Sequence, residues 1–172
     1  MTRILLLLAL GGLMASVPAH AGEVFGGLYV HDIDSPLTKS GIEDGMDVQL
    51  GYRWDRIGTT PLQPYVFGAL NTSGETHYAV AGVSAKFGHR LYVRPGLGIA
   101  VHSGDNQDFE DPFDDDIEFG SSVLFAPEVG IGFAINDRAS IEASLIHMSH
   151  AQLFGGQNPG TDNVGVRFNW KL

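Results

Sequence analysis

The segment that decides the fold is NVGVRFNWKL, residues 163–172. Apolar side chains occupy its even-numbered positions from Val164 to Leu172, while amides, glycine and positive charges occupy the odd-numbered positions from Asn163 to Lys171. A period of two residues is that of a β-strand, in which successive side chains point to opposite faces. The segment is therefore predicted to form a strand with one apolar face and one polar face.

The same alternation recurs in seven earlier segments, and no segment after residue 21 keeps a helical period over three turns. These further predicted strands are residues 23–31, 43–54, 62–71, 75–86, 90–102, 119–133 and 138–149. Their lengths match or exceed the roughly nine to eleven residues with which a tilted strand crosses a bilayer. The predicted fold class is all-β.

Two architectures compete for these strands. In a soluble sandwich or barrel the apolar face forms the core, whereas in a membrane barrel it contacts lipid and the inner face carries glycine and charge. Glycine on the polar face, aromatic residues near strand ends and charges of both signs favour the second. The charges predicted to pair inside are Asp47, Arg53, Arg94, Glu128, Glu142 and Arg167. We predict an eight-stranded antiparallel transmembrane β-barrel, whose interior at this strand number is filled by side chains.

The amino-terminal segment MTRILLLLALGGLMASVPAHA, residues 1–21, has the pattern of a secretory signal peptide. A basic start precedes an apolar run, and small residues precede the expected cleavage after Ala21. The run from Ile4 to Val17 is shorter than the roughly 20 residues that a spanning helix needs. Residues 22–172 then form the barrel, and the predicted location is the outer membrane of a Gram-negative cell.

Composition excludes several classes of function. The net charge of −10 becomes −11 once Arg3 is removed, with 9 basic against 20 acidic residues, and this disfavours a nucleic-acid partner. The chain has no cysteine, which excludes a disulfide framework, a thiol nucleophile and a cysteine-based metal site. We predict neither a metal site nor a cofactor.

Loop lengths predict the orientation of the barrel. With the amino terminus in the periplasm, the outward loops are residues 32–42, 72–74, 103–118 and 150–162, and the inward turns are shorter, as expected for such barrels. Residues 105–118 are strongly acidic. This segment either binds calcium, without the glycine spacing of an EF-hand loop, or is a solvated loop that bridges lipopolysaccharide phosphates through divalent cations.

His147 and Ser149 lie two residues apart near the outward end of the seventh strand, so they share a face. That face is the lipid-facing row of Leu145, and Asp162 has the parity of Val164 in the neighbouring strand. An imidazole can take the proton of a serine nucleophile, and an acid can orient the imidazole. The alternative interpretation is that His147 and Ser149 are interfacial polar residues and Asp162 caps a loop.

The segment HMSHAQLFGGQNPGTD, residues 147–162, resembles the His-x-Ser-Asn-Ala signature of the lipid A 3-O-deacylase (PagL) family of outer-membrane hydrolases. Residues 94–104 and 120–133 resemble segments that precede this signature in the family. The resemblance implies an eight-stranded barrel whose triad faces the outer leaflet and cleaves the ester at position 3 of lipid A without a cofactor. It implies Ser149 as nucleophile, His147 as base and Asp162 as acid.

Two positions depart from the family pattern. Asp162 stands where a glutamate is expected, and His150 replaces the asparagine after the serine, a position associated with the oxyanion site. His150 is assigned as the oxyanion donor, through its backbone N–H or its imidazole. The implied partners are lipid A or lipopolysaccharide as substrate and outer-membrane lipid, with a homodimer left open. The alternatives are a non-catalytic, lipid-binding or structural barrel of the family, or another lipid-modifying barrel such as an acyltransferase or phospholipase.

Overall fold

A computed structural model describes residues 22–35, 37–38, 41–106, 117–153 and 158–172. The predicted signal peptide, residues 1–21, lies outside these ranges. The strands are β1 Glu23–Val30, β2 Met46–Arg53, β3 Leu62–Asn71, β4 Tyr78–Ala85 with a continuation Phe87–Gly88, β5 Leu91–His102, β6 Val123–Ala134, β7 Ala139–Met148 and β8 Thr161–Lys171. Among the described residues, no helix is long and apolar enough to cross a membrane.

The sheet closes on itself because the first strand pairs with the last. Each strand is antiparallel to the next along the chain, and β1 pairs with β8 from Glu23 opposite Lys171 to Val30 opposite Val164. The two pieces of β4 keep one register against β5, and the last residue before the break, Ala85, lies opposite Pro95, which has no backbone N–H to donate. The fold is a closed eight-stranded antiparallel barrel, which confirms the prediction.

Three strands begin three or more residues later than their alternation predicts. β2 starts at Met46 rather than at residue 43, β4 at Tyr78 rather than at residue 75, and β6 at Val123 rather than at residue 119. Glu43 belongs to the loop before β2, and the ring of Phe119 packs against His102 at a centroid distance of 4.4 Å. Both side chains are buried, although neither belongs to the paired backbone of a strand.

The outer face of the barrel is apolar and open. Leu50, Leu91 and Ile131 have 67%, 68% and 59% of their surface exposed in the isolated chain. An apolar band that surrounds the molecule far exceeds the apolar patches found on soluble monomers, and it suits contact with lipid. The apolar residues of the alternating pattern thus face outward, as predicted.

The interior is filled by paired charges and aromatic rings. Arg53, Arg94 and Arg167 are fully buried, and a charge removed from water requires a partner. The side chains of Arg53 and Arg94 both bond the Glu23 carboxylate. Further ion pairs join Arg94 Nε to Glu142 Oε2 at 3.3 Å and Arg167 Nη2 to Glu128 Oε2 at 2.9 Å. The lumen is therefore a packed polar core that makes the barrel a rigid support.

The two faces can be tested with single introduced cysteines, because the chain has none of its own. Ser144 is buried and its hydroxyl lies 2.6 Å from that of Tyr29, so Ser144→Cys should react slowly with a thiol reagent in the folded barrel. Ile131→Cys should accept a nitroxide label that collides with lipid-soluble oxygen in bilayers. Electron paramagnetic resonance and labelling kinetics provide the measurements, and the reverse pattern would contradict the assigned faces.

Candidate active site

His147 lies between Ser149 and Asp162 and is within hydrogen-bond distance of both. Its Nδ1 is 2.7 Å from Asp162 Oδ1, and its Nε2 is 2.9 Å from Ser149 Oγ. The register of β7 with β8 places His147 directly opposite Asp162, while the two-residue spacing along β7 places Ser149 beside the other ring nitrogen. The structure thus brings together the three residues predicted as a triad.

Ser149, one residue beyond the end of β7, forms an isolated antiparallel bridge with Phe125 of β6 in the register of these two strands. Its N–H donates to the carbonyl of Phe125 at 3.1 Å, and its own carbonyl accepts the Phe125 N–H at 2.8 Å. Ser149 keeps 7% of its surface exposed, whereas the His147 side chain keeps 21%. A reactant can therefore approach the serine along the exposed imidazole, from outside the barrel.

Asp162 shares the outward parity of His147 but is completely buried, which differs from the membrane-facing position predicted for it. The reason is the loop between β1 and β2, whose described residues cover the carboxylate. Ser35 donates its hydroxyl hydrogen to Asp162 Oδ2, and Thr38 Oγ1 donates to the same oxygen at 3.0 Å. The sequence pattern points to neither hydroxyl, since both lie in a loop without periodicity and far from Asp162 along the chain.

The same loop is fixed to the barrel through Asp32. The Asp32 carboxylate accepts the backbone N–H groups of Gly41, Ile42 and Glu43 at 2.8, 2.8 and 3.2 Å. The Asp32 N–H donates to Asn163 Oδ1 at 2.9 Å, next in sequence to Asp162. The loop is thus folded on itself and attached to the start of β8.

A buried ion cluster at the outward end holds the base of this loop. His31 Nε2 lies 2.9 Å from the Glu43 carboxylate, and Nδ1 lies 3.0 Å from that of Asp47. Burial disfavours the charged ring, but the hydrogen bonds and negative charges of Asp47 and Glu43 outweigh it and raise the pKa of His31 to about 9. Burial also disfavours the charge on Glu43, yet hydrogen bonds from His31, Thr76 and the backbone lower the pKa of that carboxyl.

The predicted oxyanion donor His150 lies directly after Ser149 and is fully buried. Its backbone N–H donates to Asn158 Oδ1 at 2.9 Å, so this donor is already engaged. Within the described ranges, no group of three or more histidine, aspartate and glutamate side chains could hold a metal ion. The central part of the acidic segment, residues 107–116, lies outside the described residues.

Comparison with known proteins identifies the family. The sequence profile of the family described as lipid A 3-O-deacylase (PagL) matches residues 41–171. The chain belongs to this family. A relative from Bordetella bronchiseptica, described as lipid A deacylase PagL, is 27% identical over 129 residues, which cover 72% of this chain and 68% of the relative.

Solved structures agree on the fold of this lipid A 3-O-deacylase family member. The crystal structure of the outer membrane enzyme PagL matches with a TM-score of 0.62 at 20% identity, covering 87% of this chain and 99% of that one. A designed transmembrane β-barrel matches with 0.56 at 10% identity, covering 91% and 98%. Neisserial surface protein A matches with 0.55 at 13% identity, covering 88% and 97%.

Family membership makes the chain an ester-hydrolysing enzyme whose function is the deacylation of lipid A in the outer membrane. The predictions of the family, the barrel fold and the enzyme class are confirmed. The hydrogen-bonded arrangement of Ser149, His147 and Asp162 lies at the outward end of this barrel, next to its apolar outer surface.

The His31 cluster predicts a pH-dependent stability. A folded-state pKa of about 9, raised from the ordinary value of 6.5, means that the stabilisation is fully present below about pH 6.5 and is lost as the pH rises through about 9. The urea midpoint of the wild type in bilayers should therefore fall between pH 7 and pH 10. His31→Gln should lower the midpoint at pH 6 and remove this dependence.

The matched control is His89→Gln on an exposed inward turn, which should follow the wild-type curve. A wild-type midpoint that stays constant from pH 7 to pH 10 would show that the charge on His31 does not stabilise the loop.

Proposed function

We propose that this enzyme hydrolyses the 3-hydroxyacyl ester at position 3 of lipid A with a Ser149–His147–Asp162 triad that faces the outer leaflet. The observation that carries the proposal is the continuous hydrogen-bonded chain from Ser149 Oγ through both nitrogens of His147 to Asp162 Oδ1. The site lies at the outward end of the barrel, where the family's lipid substrate would meet it from the side.

The chemistry follows from the order of these contacts. His147 Nε2 takes the Ser149 proton as Oγ attacks the ester carbonyl, and Asp162 stabilises the imidazolium that results. The tetrahedral intermediate collapses when His147 returns the proton to the departing sugar oxygen, which leaves an acyl group on Ser149. A water activated by His147 then attacks this ester and releases the 3-hydroxy fatty acid. The residues complete this cycle without a cofactor.

The surroundings of the site suit a lipid. Val123 and Val164 each expose 39% of their surface on the outer face near the outward end of their strands, and Val129, midway along β6, exposes 44%. Acyl chains in the outer leaflet can lie against these side chains without desolvating a polar group. The sugar and phosphate groups would then sit at the level of the outward loops, with the ester next to the exposed edge of His147.

The proposed reaction also needs a hydrogen-bond donor for the oxyanion. The developing negative charge on the carbonyl oxygen requires hydrogen-bond donors held in place in advance. We assign this role to His150, which adjoins the nucleophile. For its backbone N–H to act, the bond to Asn158 Oδ1 has to be exchanged for one to the oxyanion.

The site of cleavage can be determined by mass spectrometry of lipid A from cells with and without the protein. Loss of one 3-hydroxyacyl chain, with the sugar bearing a free hydroxyl at position 3, is the expected result. Gain of an acyl chain would indicate an acyltransferase, and unchanged lipid A would indicate a non-catalytic barrel.

Ser149→Ala tests the nucleophile. The variant should still fold into a heat-modifiable barrel, because a single hydroxyl is removed at a strand end. Deacylation of lipid A should fall by several orders of magnitude, as in serine hydrolases that lose a triad member. Ser144→Ala is a matched control on the inner face and should keep its activity. Wild-type turnover in Ser149→Ala would exclude this residue as nucleophile.

Asp162→Asn tests the acid. An amide can hold the ring in the wrong tautomer and cannot stabilise its positive form, so turnover should drop by up to about 10⁴-fold. Asp162→Glu should keep measurable activity because it retains a carboxylate. If Asp162 only caps the loop, both changes should alter stability by about 1 kcal/mol or less and leave the rate unchanged. Kinetics on purified lipid A, together with unfolding curves, separate these outcomes.

A further inference from the structure

We propose that Ser35 and Thr38, in the loop between β1 and β2, are positioning residues that orient the carboxylate of Asp162 toward His147. This inference rests on the proposed function, because it gives Asp162 the role of triad acid. A loop that is more than 120 residues away from Asp162 in the sequence then contributes to the geometry of the site.

The two oxygens of Asp162 have separate partners. Oδ1 faces His147 Nδ1 at 2.7 Å, while Oδ2 accepts the hydroxyl hydrogens of Ser35 and Thr38. Rotation about the bond to the carboxyl group is soft in an aspartate side chain. Two donors on Oδ2 remove this freedom and direct Oδ1 at the imidazole.

The two hydroxyls also donate hydrogen bonds to a carboxylate, that of Asp162, which water cannot reach. The side chain of Asp162 has no exposed surface, and in the described part of the chain its ion pairing is limited to His147. Burying a carboxylate is costly unless its oxygens accept hydrogen bonds. Ser35 and Thr38 provide two of them, and neither introduces a competing positive charge.

The Ser35 side chain is itself held in orientation. Its oxygen accepts the backbone N–H groups of Leu37 at 2.9 Å and Thr38 at 3.4 Å, which leaves its hydroxyl hydrogen for Asp162. The backbone attaches the loop independently, since the Ile33 N–H donates to the Asp162 carbonyl at 2.8 Å. Removing the hydroxyls should therefore leave the loop in place and affect the carboxylate alone.

The test is the double variant Ser35→Ala/Thr38→Val in the full-length barrel, assayed on lipid A in bilayers. We expect kcat to fall about 10-fold to 100-fold, which is the range seen when metal-binding side chains lose the hydrogen-bond partners that orient them. KM should stay within about two-fold, because neither hydroxyl faces the lipid.

The conservative variants Ser35→Thr and Thr38→Ser keep a hydroxyl and should retain most of the rate. Thr72→Val is the control, since its hydroxyl accepts the Met46 N–H in another outward loop.

A second comparison separates positioning from general packing. Added to Asp162→Asn, the double substitution should cause no further loss beyond about two-fold, because its effect passes through the carboxylate. The positioning role would be overturned if the double substitution lowered the activity of Asp162→Asn by the same factor as it lowers that of the wild type. It would also be overturned if the double variant were fully active while Asp162→Asn was impaired. In both cases the triad itself would stand. Full activity of Asp162→Asn would instead overturn the acid assignment, and with it the role of both hydroxyls. Heat-modifiable migration of every variant confirms folding, and Ser35→Ala alone repeats the test if the double variant does not fold.

Discussion

The register between β7 and β8 fixes the position of every group in the candidate site. Ten consecutive residue pairs join these strands, from Ala139 opposite Trp170 to Met148 opposite Thr161. A slip of one residue would turn every side chain of one strand to the opposite face. Such a slip would turn the Arg167 side chain toward lipid and separate the Asp162 carboxylate from the His147 ring. One register therefore sets both the ion pairs of the interior and the geometry of the candidate site.

Polar groups are distributed differently inside and outside the barrel. Inside, the arginines are matched by the carboxylates of Glu23, Glu128 and Glu142, and the packed lumen leaves little freedom for the strands to shift. Outside, the strands present apolar side chains, and the polar group His147 stands at their outward end. This division allows the barrel wall to present the candidate site sideways to a lipid layer, whereas a pore would present it to water.

The loop between β1 and β2 links stability to the geometry of the site. Its base is the buried cluster of His31, Glu43 and Asp47, its middle is held by Asp32, and its hydroxyls reach Asp162. A carboxylate at a lipid-facing strand end would otherwise be exposed to a medium that solvates charge poorly. Covering it with the protein's own loop supplies the hydrogen bonds that the membrane cannot.

Much of this protein was determined by its sequence, because side-chain alternation is a local property. The period of two gave the eight strands, with residues 62–71 predicted at the observed bounds, and the parity of His147 and Asp162 placed them on one face before any pairing was known. The tertiary structure decided the rest. Ser35 and Thr38 reach Asp162 from a non-periodic loop, and the His150 N–H donates to Asn158, eight residues further along the chain. Such contacts depend on the path of loops between distant strands, and no local pattern of residues encodes that path.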